Sequence, residues 1–127
     1  MPFVRIDVLV GRSPDDLAAI GAGVHDALVE AIGIPVLDRF QVITQHQPGG
    51  LVFDDQYLEI QRTTAVVFIQ IALSVGRTLE QKRALYAAIA RNLGARPGVR
   101  SEDVLVNLTE VVKENWSFGN GVAQYAP

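Results

Sequence analysis

The chain has 127 residues, 49% of them hydrophobic, with a formal charge of −3 and no cysteine. That length allows one domain with a core but not two independent ones, and the apolar content excludes a disordered tail. Without cysteine there are no disulfides, thiolate nucleophiles or thiolate metal sites, and the mild acidity gives no electrostatic reason to expect nucleic acid or an anionic membrane as a partner.

From the start of the chain, Val4, Ile6, Val8 and Val10 alternate with Arg5 and Asp7, which reads as a strand over Phe3 to Val10. The same residues lack the basic run and apolar block of a signal peptide, so a reducing cytoplasm is the expected compartment. Gly11-Arg12 follows, and then Ser13-Pro14-Asp15-Asp16. An N-cap hydroxyl, a proline at the first helical position and acids in the first turn start a helix there. Leu17, Ile20, Val24 and Leu28 share one face of it, Gly33 ends it, and a second strand is expected over Arg39 to Gln45. The connector, residues 47–64, is long for a plain loop. Pro48-Gly49-Gly50 marks a turn in it, Leu51 to Phe53 could add a short strand, and Asp54-Asp55 reads as a solvated turn rather than a metal site.

The pattern then recurs. Val8-Leu9-Val10-Gly11-Arg12-Ser13 is echoed 65 positions later by Leu73-Ser74-Val75-Gly76-Arg77-Thr78. A strand-like run from Ala65 to Leu73 precedes the second pair. Thr78 with Gln81 forms a capping box, Leu85, Ile89 and Leu93 make an apolar stripe, Gly94 is the expected stop, and Asp103 to Val111 reads as a final strand.

These elements predict an α+β fold: one domain over residues 1–127 built from tandem β-α-β units, about 2–46 and 65–112, with a tail over 113–127. The four strands form one mixed sheet with both helices on one face. Its other face, expected to carry Gln41, Ile43 and Leu105, must be partly buried, and self-association is the direct way to do that.

The chemistry is expected at Pro2. Proline after the initiator is small enough to permit removal of Met1, which leaves a terminal secondary amine. Ordinary α-amino groups titrate at about 7.7–8.0, and apolar burial or a nearby arginine lowers that value, so the nitrogen can act as a general base. A strand rising ~3.3 Å per residue puts Arg12 about 30 Å from Pro2. If the first strands of the two units pair antiparallel, Arg77 arrives beside Pro2, where a guanidinium near a helix N-terminus suits a carboxylate. Arg12 would instead face the start of the second unit, around Ala65 to Val67, where there is no free amine. One live site and one vestigial site are expected. His25 and His46 lack ligand spacing and read as satisfied or exposed.

Pro2, its strand, Gly11-Arg12-Ser13 and the amphipathic helix resemble the 4-oxalocrotonate tautomerase superfamily. Pro35-Val36-Leu37-Asp38-Arg39-Phe40 and Asn115-Trp116-Ser117-Phe118-Gly119-Asn120-Gly121 are similar to its malonate semialdehyde decarboxylase-like branch. The resemblance implies a tautomerase-like fold assembled as a homotrimer, and chemistry on small oxo acids without metal or cofactor. Pro2 would be base or acid and Asp38 the acidic residue that assists water or substrate. Trp116 and Phe118 are candidates for an apolar wall at the substrate. A single arginine, Arg77, stands where the decarboxylase pattern has two. The leading expectation is therefore a tautomerase acting on small enol or keto carboxylic acids. The alternatives are a decarboxylase-like lyase or hydratase using a cationic Pro2, and a trimeric interaction protein without activity.

Overall fold

The computed structural model describes residues 1–127. Its elements in chain order are β1 (Phe3–Leu9), α1 (Pro14–Ile32), β2 (Gln41–His46), β3 (Val67–Ser74), α2 (Leu79–Ala95) and β4 (Val104–Val111), with short 3-10 turns at Tyr57–Glu59, Ser101–Asp103 and Lys113–Asn115. The sheet order is β2-β1-β3-β4. β1 and β2 are parallel, β3 and β4 are parallel, and β1 runs antiparallel to β3 between them. This is the expected α+β assembly of two β-α-β units.

Both helices start as the local chemistry dictates. Ser13 Oγ accepts from the Asp16 amide at 3.1 Å. Thr78 and Gln81 close a reciprocal capping box. Gly33, at φ 69°, ends α1 in the left-handed conformation and donates its N–H to the carbonyls of the last turn. Gly94 does not end α2, contrary to expectation. The helix continues to Ala95 and stops where Arg96, extended at φ −155°, precedes Pro97.

Val4, Ile6 and Val8 of β1 and Ile69, Ile71 and Leu73 of β3 form the sheet side of the core, against Ile20, Val24 and Leu28 of α1 and Leu85, Ile89 and Leu93 of α2. Gly23 lets the helices approach closely, since a Cβ there would meet Leu93 Cδ1 at 2.8 Å. The parallel register sets Gln41 beside Val4 and Ile43 beside Ile6, so both face the helices, and Gln41 Nε2 donates to the Gly21 carbonyl at 2.8 Å. Two of the three residues expected on the open face are thus on the covered one. The open face instead carries Phe3, Arg5 and Asp7, with Phe68 opposite Asp7 and Leu105 opposite Phe68.

Leu51 to Phe53 form no strand; Val52 and Phe53 instead border a cleft with Phe68 and Leu105 of the sheet. Leu51 is buried as an isolated plug, and the connector is tied by Arg62, whose Nη1 donates to the carbonyls of Tyr57 (3.0 Å) and Ile60 (3.1 Å). Asp54 Oδ1 accepts from the Gln56 amide at 2.8 Å, the turn read from the sequence. No helix is long and apolar enough to cross a membrane.

Candidate active site

In the β1–β3 register Phe3 lies opposite Ala72, so the beginning of the chain reaches the end of β3 and the turn that leads into α2. Pro2 is buried there. Next to it the Met1 ammonium stands 3.2 Å from Asp38 Oδ2. The Asp38 side chain is only 10% exposed, and neither of its oxygens accepts a hydrogen bond. A carboxylate withdrawn from water needs a compensating partner, and the terminal amine is the one cation in reach.

Pro2, Phe3, Phe40, Trp116, Ser117 and Phe118 line a cleft of about 220 Å³. Trp116 and Phe118 stack with ring centroids 5.2 Å apart, Phe40 tilts against Phe118 at 5.8 Å, and Tyr125 meets it edge-on at 5.5 Å. The tail therefore folds back over the start of β1, and its aromatic rings make one wall of the cleft. Trp116 Nε1 is buried there without an acceptor. The cleft is apolar apart from this donor, Ser117 and the neighbouring Asp38.

The structure thus gathers Pro2, Asp38, Trp116 and Phe118. It places Arg77 at the same end of the sheet but outside the residues that line the cleft, half-buried, with Nη1 donating to the Ser74 carbonyl at 3.0 Å. Gly76, at φ 125°, makes the turn that precedes it, as Gly11 at φ 120° does for Arg12. Beyond Arg77, Lys82 Nζ donates to Glu110 Oε1 at 2.7 Å. The Glu110 carboxyl is held below its ordinary range, chiefly by that hydrogen bond. Desolvation opposes the shift, while the Lys82 charge, the Gly76 N–H and the Arg77 charge add to it. Whatever stability this lowered value contributes is present above the ordinary carboxyl range and is lost as pH falls through the depressed one. Replacing Lys82 with methionine should raise the Glu110 midpoint toward the ordinary value. Carboxyl ¹³C shifts followed against pH would read the change, and an unmoved midpoint would show that Lys82 is not its cause.

The second unit repeats this layout in closed form. Asp103 lies as far beyond Asp38 as Arg77 lies beyond Arg12. The turn that presents each is the same: the Asp38 amide donates to the Pro35 carbonyl at 3.0 Å and the Asp103 amide to that of Arg100 at 2.9 Å. Asp103, 1% exposed, accepts from both the amide and the hydroxyl of Thr63 at 2.7 Å. Arg12 Nη2 donates to the Ala65 carbonyl at 2.6 Å, within the segment expected to meet it. Where the first unit holds a terminal amine, the second holds its own connector.

Phe40 and Tyr125 went unassigned in the sequence. Phe40 stands two positions after Asp38, at the entry to β2, and that proximity was the available signal. His46 pairs with Asp7 Oδ1 at 2.6 Å on the open face, whereas His25 is buried on α1 with Nε2 2.8 Å from the Val36 carbonyl.

Known proteins share both the sequence and the fold. The tautomerase enzyme family matches in two forms, one over residues 38–119 and one over residues 2–61. The Probable tautomerase YusQ of Bacillus subtilis (strain 168) is 42% identical over 98% of either chain. The structure of FG41 malonate semialdehyde decarboxylase inhibited by 3-bromopropiolate is 44% identical, covers 97% of this chain and 93% of its own, and superposes with a TM-score of 0.91. Another malonate semialdehyde decarboxylase, described for its decarboxylase and hydratase activities, is 33% identical with a TM-score of 0.92 over 97% of this chain and 95% of its own. The chain belongs to the tautomerase enzyme family, on the branch that includes malonate semialdehyde decarboxylase.

Proposed function

We propose that this enzyme is a cofactor-independent tautomerase of small enol or keto carboxylic acids, with the Pro2 nitrogen as its general base. The observation that carries the reading is the buried start of β1, where the chain's ammonium lies 3.2 Å from a carboxylate that has no other partner. Loss of Met1 moves the amine back one residue, to the proline ring that lines the cleft. A neutral Pro2 nitrogen takes a proton from the substrate and returns it across the same three atoms. In ketonisation the enol O–H bond breaks, the C–O bond becomes C=O as the C=C bond becomes single, and a C–H bond forms at the far carbon. Arg77 holds the substrate carboxylate. Asp38 holds the substrate hydroxyl or a water, and Trp116 and Phe118 exclude bulk solvent, which strengthens these charge interactions.

A lyase reading rests on Asp38 itself. A carboxylate beside an amine favours the cation, and a cationic Pro2 would polarise a carbonyl for decarboxylation or hydration, the activities described for the similar decarboxylase. Titration of the amine by ¹⁵N NMR separates the two, since tautomerisation needs it neutral at working pH. The open sheet face supports a homo-oligomer, with a trimer as our reading, and the single unbroken core supports one domain.

Intact-mass analysis is the first test. The purified protein should be short of its initiator methionine and should ketonise phenylenolpyruvate. A protein that retains Met1 has no secondary amine at its terminus, and the base assignment would fall.

A further inference from the structure

Between the end of α1 and the start of β2, residues 34–40 carry Asp38 to the cleft. Ile34 is buried at the beginning of this segment, and at its end the Phe40 carbonyl accepts from the Val4 amide at 3.0 Å. Between those anchors only the Asp38 side chain is withdrawn from solvent, and its one partner is the terminal ammonium. Pro35 and Arg39 are exposed, Val36 is 68% exposed and Leu37 93% exposed. Apolar packing therefore cannot hold the turn that sets the Asp38 carboxylate.

A hydrogen bond from behind can. His25, 4% exposed on the inner side of α1, places Nε2 at 2.8 Å from the Val36 carbonyl. A carbonyl only accepts, so Nε2 carries the proton, and Nδ1 is left buried without a partner. The second unit is an internal control. Val99, buried to 3% like Ile34, begins its turn, and the same backbone hydrogen bond closes it. The position on α2 equivalent to His25 is Ala90. There the Asp103 carboxylate is fixed directly by Thr63. A carboxylate that must stay open toward a ligand cannot be pinned through its own oxygens, and the histidine occurs only in the unit where that carboxylate is open.

We propose that His25 is a positioning residue, whose Nε2–H holds the Val36 carbonyl and through it the exposed turn that presents Asp38 to the Pro2 nitrogen. The proposal rests on the reading of Asp38 given above.

The test compares Asp38→Asn, His25→Leu, His25→Asn and His25→Gln in the full chain, reading the ¹⁵N titration midpoint of Pro2 and the ketonisation kinetics. Glutamine places its nitrogen near Nε2, whereas asparagine reaches only as far as Nδ1. Asp38→Asn should lower the amine midpoint, because it removes a neighbouring negative charge. His25→Leu and His25→Asn should lower it by at least half as much and reduce kcat/KM by about 10–10²-fold, as misplacement of a catalytic group does. His25→Gln should keep both near wild type. If the leucine variant fails to fold, the asparagine variant decides. A folded leucine or asparagine variant with the wild-type midpoint overturns the proposal. If Asp38→Asn itself leaves midpoint and activity unchanged, the reading of Asp38 is what fails, and the positioning role falls with it.

Discussion

Replacing Pro2 with alanine should cost about 10²–10⁴-fold in kcat, the range a positioned general base contributes. The loss comes from geometry more than from basicity, because the processed Pro2→Ala chain still begins with an amine. The proline ring packs into the cleft with Phe3, Phe40, Trp116 and Phe118, and its closed ring fixes the direction of the nitrogen lone pair. A primary amine turns freely about its N–Cα bond and holds that direction only part of the time. A second variant makes the case independent of packing. One residue inserted between Met1 and Pro2, chosen to block processing, retains the ring but ties its nitrogen into an amide, and activity should fall to background. Wild-type turnover from either protein would move the proton transfer to another group. Asp38 would be the first to examine, as the other titratable group at the cleft.

Arg77→Ala should act mainly on KM. A charge-assisted hydrogen bond contributes about 1.5–3 kcal/mol, so removing the carboxylate anchor should raise KM by about 10–10²-fold while kcat changes less. In the structure the guanidinium donates through Nη1 to the Ser74 carbonyl, and its charge helps to lower the Glu110 carboxyl. Only Nη1 is engaged in this way, so the remaining N–H groups of the guanidinium can take an anionic acceptor. Arg77→Lys should fall in between, since an ammonium supplies the charge without the two-pronged geometry. An unchanged KM in Arg77→Ala would mean that the substrate carboxylate is held elsewhere. By contrast Arg12→Ala should leave KM untouched, because that guanidinium is engaged with Ala65 in the other unit.

Most of the fold could be read from one repetition. Two Gly-Arg pairs, each after an alternating run and before a capped helix, imply two like units, and an antiparallel meeting of their first strands brings Pro2 toward Arg77 and Arg12 toward Ala65. Each misreading has its own physical cause. Gln41 is polar yet half-buried on the helix side, where it bonds the Gly21 carbonyl, so the strand's hydrophobic pattern does not reveal which side faces the helices. Leu51 looked like part of a strand because a lone buried leucine and a strand residue have the same composition. At the site, Pro2 and Arg77 came from position and spacing, whereas Asp38 needed the family resemblance, because an acid after a proline is ordinarily a turn residue. Phe40, Tyr125 and the hydrogen bond of His25 depend on where the tail and the α1–β2 segment come to rest. No periodicity encodes that.

The closed second unit has a consequence for how such proteins arise. When two copies of a β-α-β module are joined in one polypeptide, the product has a single beginning, so only one copy can own a free amine whatever the second retains. On the reading of Pro2 as the base, Asp103 and Arg12 have no amine to serve. In this structure both residues fasten the linking segment to the module, Asp103 through Thr63 and Arg12 through Ala65.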